Sequence, residues 1–213
     1  MSKLLARIGA ALRMPFLAAI TMTCLATPAA AAGWTPPDDL PGDVVIGSRD
    51  AQVTVFEYAS LTCPHCARFH SQMLPEFRKA YIDTGKARIV YRHFPLDKSA
   101  LAGALAITCL KPENRAEAVA RLFETSADWV NAADIGSAVA RNTPGVDDTV
   151  ALVTCMSSKE ITGQVIEPAL QAAKGGVVGT PTFFVNGLKL EGTAEATRLG
   201  ELVDEAIKAK AGK

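Results

Sequence analysis

The spacing of apolar residues along this chain changes period several times, and each change marks an element. Val53 to Tyr58 is apolar at both odd and even positions except at Thr54 and Glu57. That is the pattern of a central strand covered on both faces. A shorter β-branched run, Val44 to Gly47, precedes it. From Pro64 to about Tyr81 the residues Phe69, Met73, Leu74, Phe77 and Tyr81 recur at helical spacing. Pro64 stands where the first helical residue belongs, a position that tolerates its missing N–H. Ala87 to Phe94 reads as the next strand, closed by Pro95, so strand, helix and strand make a βαβ unit.

Beyond Lys98 the pattern becomes helical throughout. Ala-, Leu- and Glu-rich stretches with helical spacing cover Ser99 to Leu110, Glu113 to Thr125, Ala133 to Arg141, Asp147 to Met156 and Lys159 to Lys174. Breakers are expected at Pro112, Pro144-Gly145 and Gly175-Gly176. The chain then returns to strands at Thr182 to Val185 and Leu188 to Leu190. They flank Asn186-Gly187, a turn pair whose positions both need positive φ. A last helix is expected from about Ala194 to Ala209. The organisation is therefore an α/β domain, residues 33–97 and 176–213, interrupted by an all-helical insertion at 98–175.

Residues 1–32 have a different character: Lys3, Arg7 and Arg13, no acidic residue, an apolar run from about Met14 to Ala26, then Pro28 and an Ala run. This is the composition of a secretory signal peptide, cut near Ala32, and it predicts export. An organellar transit peptide shares the basic, acid-free composition. The apolar run is well short of the roughly 20 residues that a spanning helix needs. Without those 32 of 213 residues the chain keeps 19 of its 22 basic and all 22 acidic side chains, a net charge near −3. Such a balance leaves no footprint for nucleic acid or an anionic membrane surface. The length suits one domain with an insertion, able to bury a core without staples.

The chemistry is concentrated in Cys63-Pro64-His65-Cys66, at the junction of the central strand and the following helix. Zinc ribbons, haem sites and iron-sulfur proteins use the same thiol spacing. A structural zinc site needs a second ligand pair, and c-type haem attachment needs a His after the second Cys, where Ala67 stands. The redox reading of the pair therefore leads. A thiol at Cys63 would lie at a helix N-terminus, where unpaired N–H groups and the dipole favour its anion.

Taken together, strand, CPHC, helix, strand, helical insertion, Gly179-Thr180-Pro181-Thr182, hairpin and helix resemble the DsbA-like branch of the thioredoxin fold, the periplasmic thiol-disulfide oxidoreductases. The resemblance covers about Asp43 to Lys210. It implies a thioredoxin-like α/β fold with an inserted helical domain. Cys63 matches the exposed nucleophilic thiol, Cys66 the buried resolving one, and Pro64-His65 the dipeptide that tunes them. Thr180-Pro181 matches a cis-proline loop that binds substrate, and Glu57 a buried acid beneath the pair. Many chains of this family carry Val before that proline, where this one has Thr180. The implied activity is insertion of disulfide bonds into unfolded or partly folded secreted proteins with free thiols. Reoxidation by a membrane quinone-linked thiol oxidase, periplasmic location, a monomeric state and no cofactor belong to the same expectation.

His65 would add a donor near the Cys63 sulfur, and a buried Glu57 would suit relay of the Cys66 proton. Two alternatives remain. One is a disulfide isomerase or reductase, although Gly33 to Asp43 offers no oligomerisation region. The other is a copper- or zinc-binding protein using Cys63, Cys66 and His70, against the plainer expectation that His70 lies on a solvated helix face. Cys109 and Cys155 are either buried inert thiols or, as expected in an oxidising compartment, a structural disulfide that leaves Cys63 and Cys66 free to cycle.

Overall fold

The computed structural model describes residues 34–212; the expected signal peptide lies outside the described residues. Five strands form one sheet in the order β1-β3-β2-β4-β5. They are β1 (Val44–Ile46), β2 (Val53–Ala59), β3 (Ala87–His93), β4 (Thr182–Val185) and β5 (Leu188–Glu191). β2 runs parallel to β3, with Glu57 beside Tyr91, and antiparallel to β4, with Glu57 opposite Phe183. As its apolar residues at both odd and even positions imply, β2 is central, and Glu57 has no exposed surface. The sheet edges are the three-residue β1 and the charged β5, where Lys189 pairs with Glu191 at 2.7 Å. Asn186 and Gly187 join β4 to β5 with φ of 49° and 82°, the left-handed pair that a tight hairpin requires.

Two apolar layers flank the sheet. On one face Val55, Ile89, Phe183 and Val185 meet Phe69, Leu74 and Phe77 of the helix after the CPHC pair and Leu199 and Val203 of the last helix. Phe69 and Phe183 are at most 1% exposed, and each such side chain contributes roughly 2–3 kcal/mol. On the other face Phe56, Tyr58 and Phe184 pack with Ala172, Val177 and Trp34. The arm before β1 is held there by Trp34 and by Arg92, which donates to Asp43 at 2.6 and 2.7 Å, to Tyr58 Oη and to the Pro37 carbonyl.

The helix after Cys63 is not continuous. It consists of α1 (Pro64–Arg68), a π-helical turn Phe69–Met73, α2 (Leu74–Phe77) and a second π turn Arg78–Ile82. Pro75 explains the first change. A proline within an α-helix removes one hydrogen bond and collides with the preceding turn, and a widened turn relieves both.

The insertion comprises α3 (Lys98–Thr108), α4 (Pro112–Glu124), α5 (Ser126–Trp129), α6 (Ile135–Asn142), α7 (Thr149–Met156) and α8 (Lys159–Lys174). As expected, the break between α3 and α4 falls at Pro112, which stands as the first residue of α4. Asp97, Asp134, Asp148 and Ser158 cap α3, α6, α7 and α8 by accepting from backbone N–H groups. The short α5 has no periodicity of its own; its fully buried Trp129 anchors it by donating Nε1–H to the Leu122 carbonyl at 3.0 Å. Leu61, Cys66 and Tyr91 share one apolar cluster with Ile107, Leu122 and Trp129, so the insertion packs directly behind the thiol pair. The chain ends with α9 (Gly192–Ala196) and α10 (Leu199–Ala211).

Candidate active site

Cys63 is the N-cap of α1, in extended conformation, and Pro64 is the first helical residue. The two thiols are unequal. Cys66 has no exposed surface, while Cys63 retains 6%. Cys63 is thus more covered than the exposed thiol expected there, because the loop before β4 lies over it. Its Sγ donates to the Thr180 carbonyl at 3.3 Å. The Thr180–Pro181 peptide is cis.

The Cys63 pKa falls from the usual value near 9 to about 5. The largest cause is the Cys66 thiol, which donates to the Cys63 sulfur; burial opposes it, and the Thr180 hydroxyl and the backbone N–H groups of Cys66 and His65 assist. The helix N-terminus therefore contributes, but less than the neighbouring thiol. What His65 supplies is its backbone N–H; its ring stands exposed beside exposed Pro64. Cys66 is pushed the other way. Burial foremost, then its hydrogen bond to Cys63 and the negative charges of Glu57 and Cys63, raise its pKa far above the ordinary thiol range. One sulfur is thus held as thiolate at neutral pH and the other as thiol, the division of labour that thiol–disulfide exchange requires.

Glu57 lies beneath the pair, and His70 comes to it. His70 Nε2 is 3.0 and 3.1 Å from the two carboxylate oxygens, and its side chain is 5% exposed. This corrects the expectation of a solvated His70. The residue is four positions after Cys66, so the two share the helix face turned to the sheet. Among the described residues no cluster of three or more His, Cys, Asp or Glu side chains is arranged to hold a metal ion. Arg92 is turned away toward Asp43, and His93 is buried.

Three buried polar atoms lack a hydrogen-bond partner among the described residues: Thr180 Oγ1, Tyr91 Oη and His93 Nε2. All belong to residues near the thiol pair or behind it. Burial raises Tyr91 well above its usual value, with the charges of Cys66, Glu57 and Cys63 adding to it. Burial and the Arg115 charge lower His93 to about 3. Just before the pair, Thr62 donates to Asp97 at 2.6 Å, which ties the CPHC loop to the cap of α3. Neither that tie nor the His70–Glu57 pair was read from the sequence. The second was accessible in principle, since the fourth residue after a buried Cys occupies the same helix face.

Away from the site, Cys109 at the end of α3 and Cys155 in α7 are joined by a disulfide, with Cα atoms 6.1 Å apart. Cys63 and Cys66 are free thiols.

Comparison with known proteins agrees with this geometry. The sequence model of a family described as thioredoxin matches residues 39–205. A protein of Rickettsia prowazekii, named as a candidate protein-disulfide oxidoreductase, is 32% identical over 174 residues, which are 78% of this chain and 61% of that one. The chain therefore spans only about three fifths of the length of that relative. Disulfide bond formation protein D of Bacillus subtilis is 27% identical over 177 residues, 79% of each chain. Among solved structures, alpha-DsbA1 of Wolbachia pipientis superposes with a TM-score of 0.68 at 29% identity, covering 82% of this chain and 96% of that one. With a CPHC pair at the end of the central strand, a cis-proline loop over it and a helical insertion behind it, the chain belongs to the DsbA-like branch of the thioredoxin superfamily.

Proposed function

We propose that this protein is a dithiol oxidase that introduces disulfide bonds into unfolded or partly folded secreted proteins carrying free thiols. The observation that carries the reading is the opposite displacement of the two thiols: Cys63 held near pKa 5, Cys66 far above its usual range. A stabilised Cys63 thiolate favours the reduced form, so the disulfide between Cys63 and Cys66 is a strong oxidant.

In the oxidised protein a client thiolate attacks Cys63 Sγ, the Cys63–Cys66 bond breaks, and Cys66 leaves and takes up a proton. A second client thiolate then attacks the client sulfur of the mixed disulfide. The client departs oxidised by two electrons, with Cys63 left as thiolate and Cys66 as thiol. Thr180 and Pro181, over Cys63, offer the backbone against which an extended client segment would lie. Pro64 and His65 flank the thiol at the surface, and Glu57 serves the proton of Cys66. Reoxidation falls to a membrane quinone-linked thiol oxidase, and the periplasm is the compartment in which such an exported monomer would work.

The test is equilibration of Cys63–Cys66 with glutathione redox buffers. A potential on the order of −120 mV is expected for an oxidase; one near about −270 mV would move the protein to the reductases. Cys63 should also be the one thiol alkylated by iodoacetamide at pH 6. Equal labelling of Cys66 would remove its assignment as the resolving thiol.

A further inference from the structure

The exchange chemistry makes Cys66 gain a proton when the disulfide is reduced and lose it when the disulfide re-forms. Cys66 has no exposed surface, so that proton cannot be traded with water at the sulfur itself. Glu57 is also without exposed surface, and the hydrogen bonds at its carboxylate are those of His70. The same imidazole lines a cavity of about 390 Å³ between the first helix and α4. The exposed residues Ser71, Pro75, Ala120 and Glu124 line the same cavity. His70 thus has Nε2 on a sealed carboxylate while its ring borders an opening to solvent.

We propose that His70 is the proton gate of the redox pair, passing the Cys66 proton between Glu57 and the cavity beside α4. The inference rests on the thiol-exchange reading and deepens it. When Cys66 leaves as a thiolate, Glu57 supplies its proton and is recharged through His70. When Cys66 must attack, the proton travels the reverse way. An imidazole suits this relay because one nitrogen can accept as the other releases.

The groups facing His70 fit that role. Glu57 meets it from β2, Cys66 lies one turn earlier in α1 with Cys63 as that helix's N-cap, and Tyr91 packs against the ring from β3 with centroids 5.7 Å apart. Phe123 of α4 packs against it at a tilt of 35°, with centroids 4.6 Å apart, and exposed Glu124, paired with Arg121, also lines the cavity. Behind Tyr91 lies His93, which faces Arg115. Tyr91 is pushed well above its usual range and His93 down to about 3, so neither exchanges protons near neutrality. That leaves the Glu57–His70 hydrogen bond as the route. His70 is a positioning residue here, acting on the sulfur through Glu57.

The experiment mixes the reduced protein with increasing oxidised glutathione and follows glutathione release. In the first step Cys63 thiolate attacks, forms a mixed disulfide and releases one glutathione. In the second Cys66 loses its proton, attacks Cys63 Sγ and releases the other. The first is bimolecular; the second sets the plateau rate. His70→Gln keeps a hydrogen bond to Glu57 but cannot titrate. It should lower the plateau about 100-fold, the lower end of what a positioned proton-transfer group contributes, and flatten its pH profile. In His70→Ala, added imidazole entering the cavity should restore the plateau in a concentration-dependent way. A plateau in His70→Gln equal to wild type overturns the proposal. So does equal slowing of both steps in His70→Ala without imidazole rescue, which would mark a packing role. Absence of the first step in the wild-type protein would instead remove the thiol-exchange reading itself.

Discussion

At the scale of single residues the site is a contest between burial and hydrogen bonding at two sulfurs. Thr180 shows how fine the balance is. Its carbonyl accepts from the Cys63 thiol, while its buried hydroxyl has no partner until Cys63 ionises and can then accept that hydroxyl's hydrogen bond. Thr180→Val keeps the shape and removes that donor. It should raise the Cys63 pKa by about one unit, since a hydrogen bond to a charged group is worth about 1.5–3 kcal/mol. Thiolate absorbance against pH would measure it, and an unmoved titration would exclude the hydroxyl. Cys63, Cys66, Thr180 and Pro181 were legible in the sequence because each belongs to a short contiguous motif whose chemistry limits what can stand there. His70 was not, because its partner lies thirteen positions away on another element. The buried Cys66 implied by the resemblance was enough to turn His70 inward, but nothing local named Glu57 as its partner.

At the scale of elements, periodicity located every strand and the long helices, because each buries one face or two against a neighbour. It failed where local rules were outvoted. The helical spacing from Pro64 to Tyr81 reads as continuous, yet a π turn precedes Pro75, and Pro168 is tolerated inside α8. The four-residue α5 is held by its tryptophan rather than by propensity, and no pattern that short could announce it. The bond between Cys109 and Cys155 closes a span of 46 residues and ties the end of α3 to α7. Replacing both cysteines by serine should lower unfolding free energy by about 4 kcal/mol through loop-closure entropy. Urea denaturation of the double variant checks this, and a loss below about 1 kcal/mol would mean the link is not needed to hold the insertion.

At the scale of the whole molecule, the Cys63 thiolate couples redox state to stability. Its pKa in the folded reduced protein is about 5 against a usual value near 9. A depressed acid stabilises the fold through its ionised form. The contribution is complete above about pH 9, amounts to about 3 kcal/mol at pH 7, and disappears as pH falls through 5. The oxidised protein has no thiol there and lacks this dependence. Reduced protein should therefore gain melting temperature relative to oxidised protein as pH rises from 4 to 8, by calorimetry of both forms. Parallel curves would deny the thiolate its role. The sheet carries a consequence of another kind. One edge is a strand of three residues, and the other alternates apolar positions with the paired charges of Lys189 and Glu191. A protein proposed to work among unfolded chains is surrounded by extended segments seeking a strand to join. Short and charged edges deny them a template, so contact is channelled to the loop over Cys63, and the catalyst does not become a seed for the aggregates its clients could form.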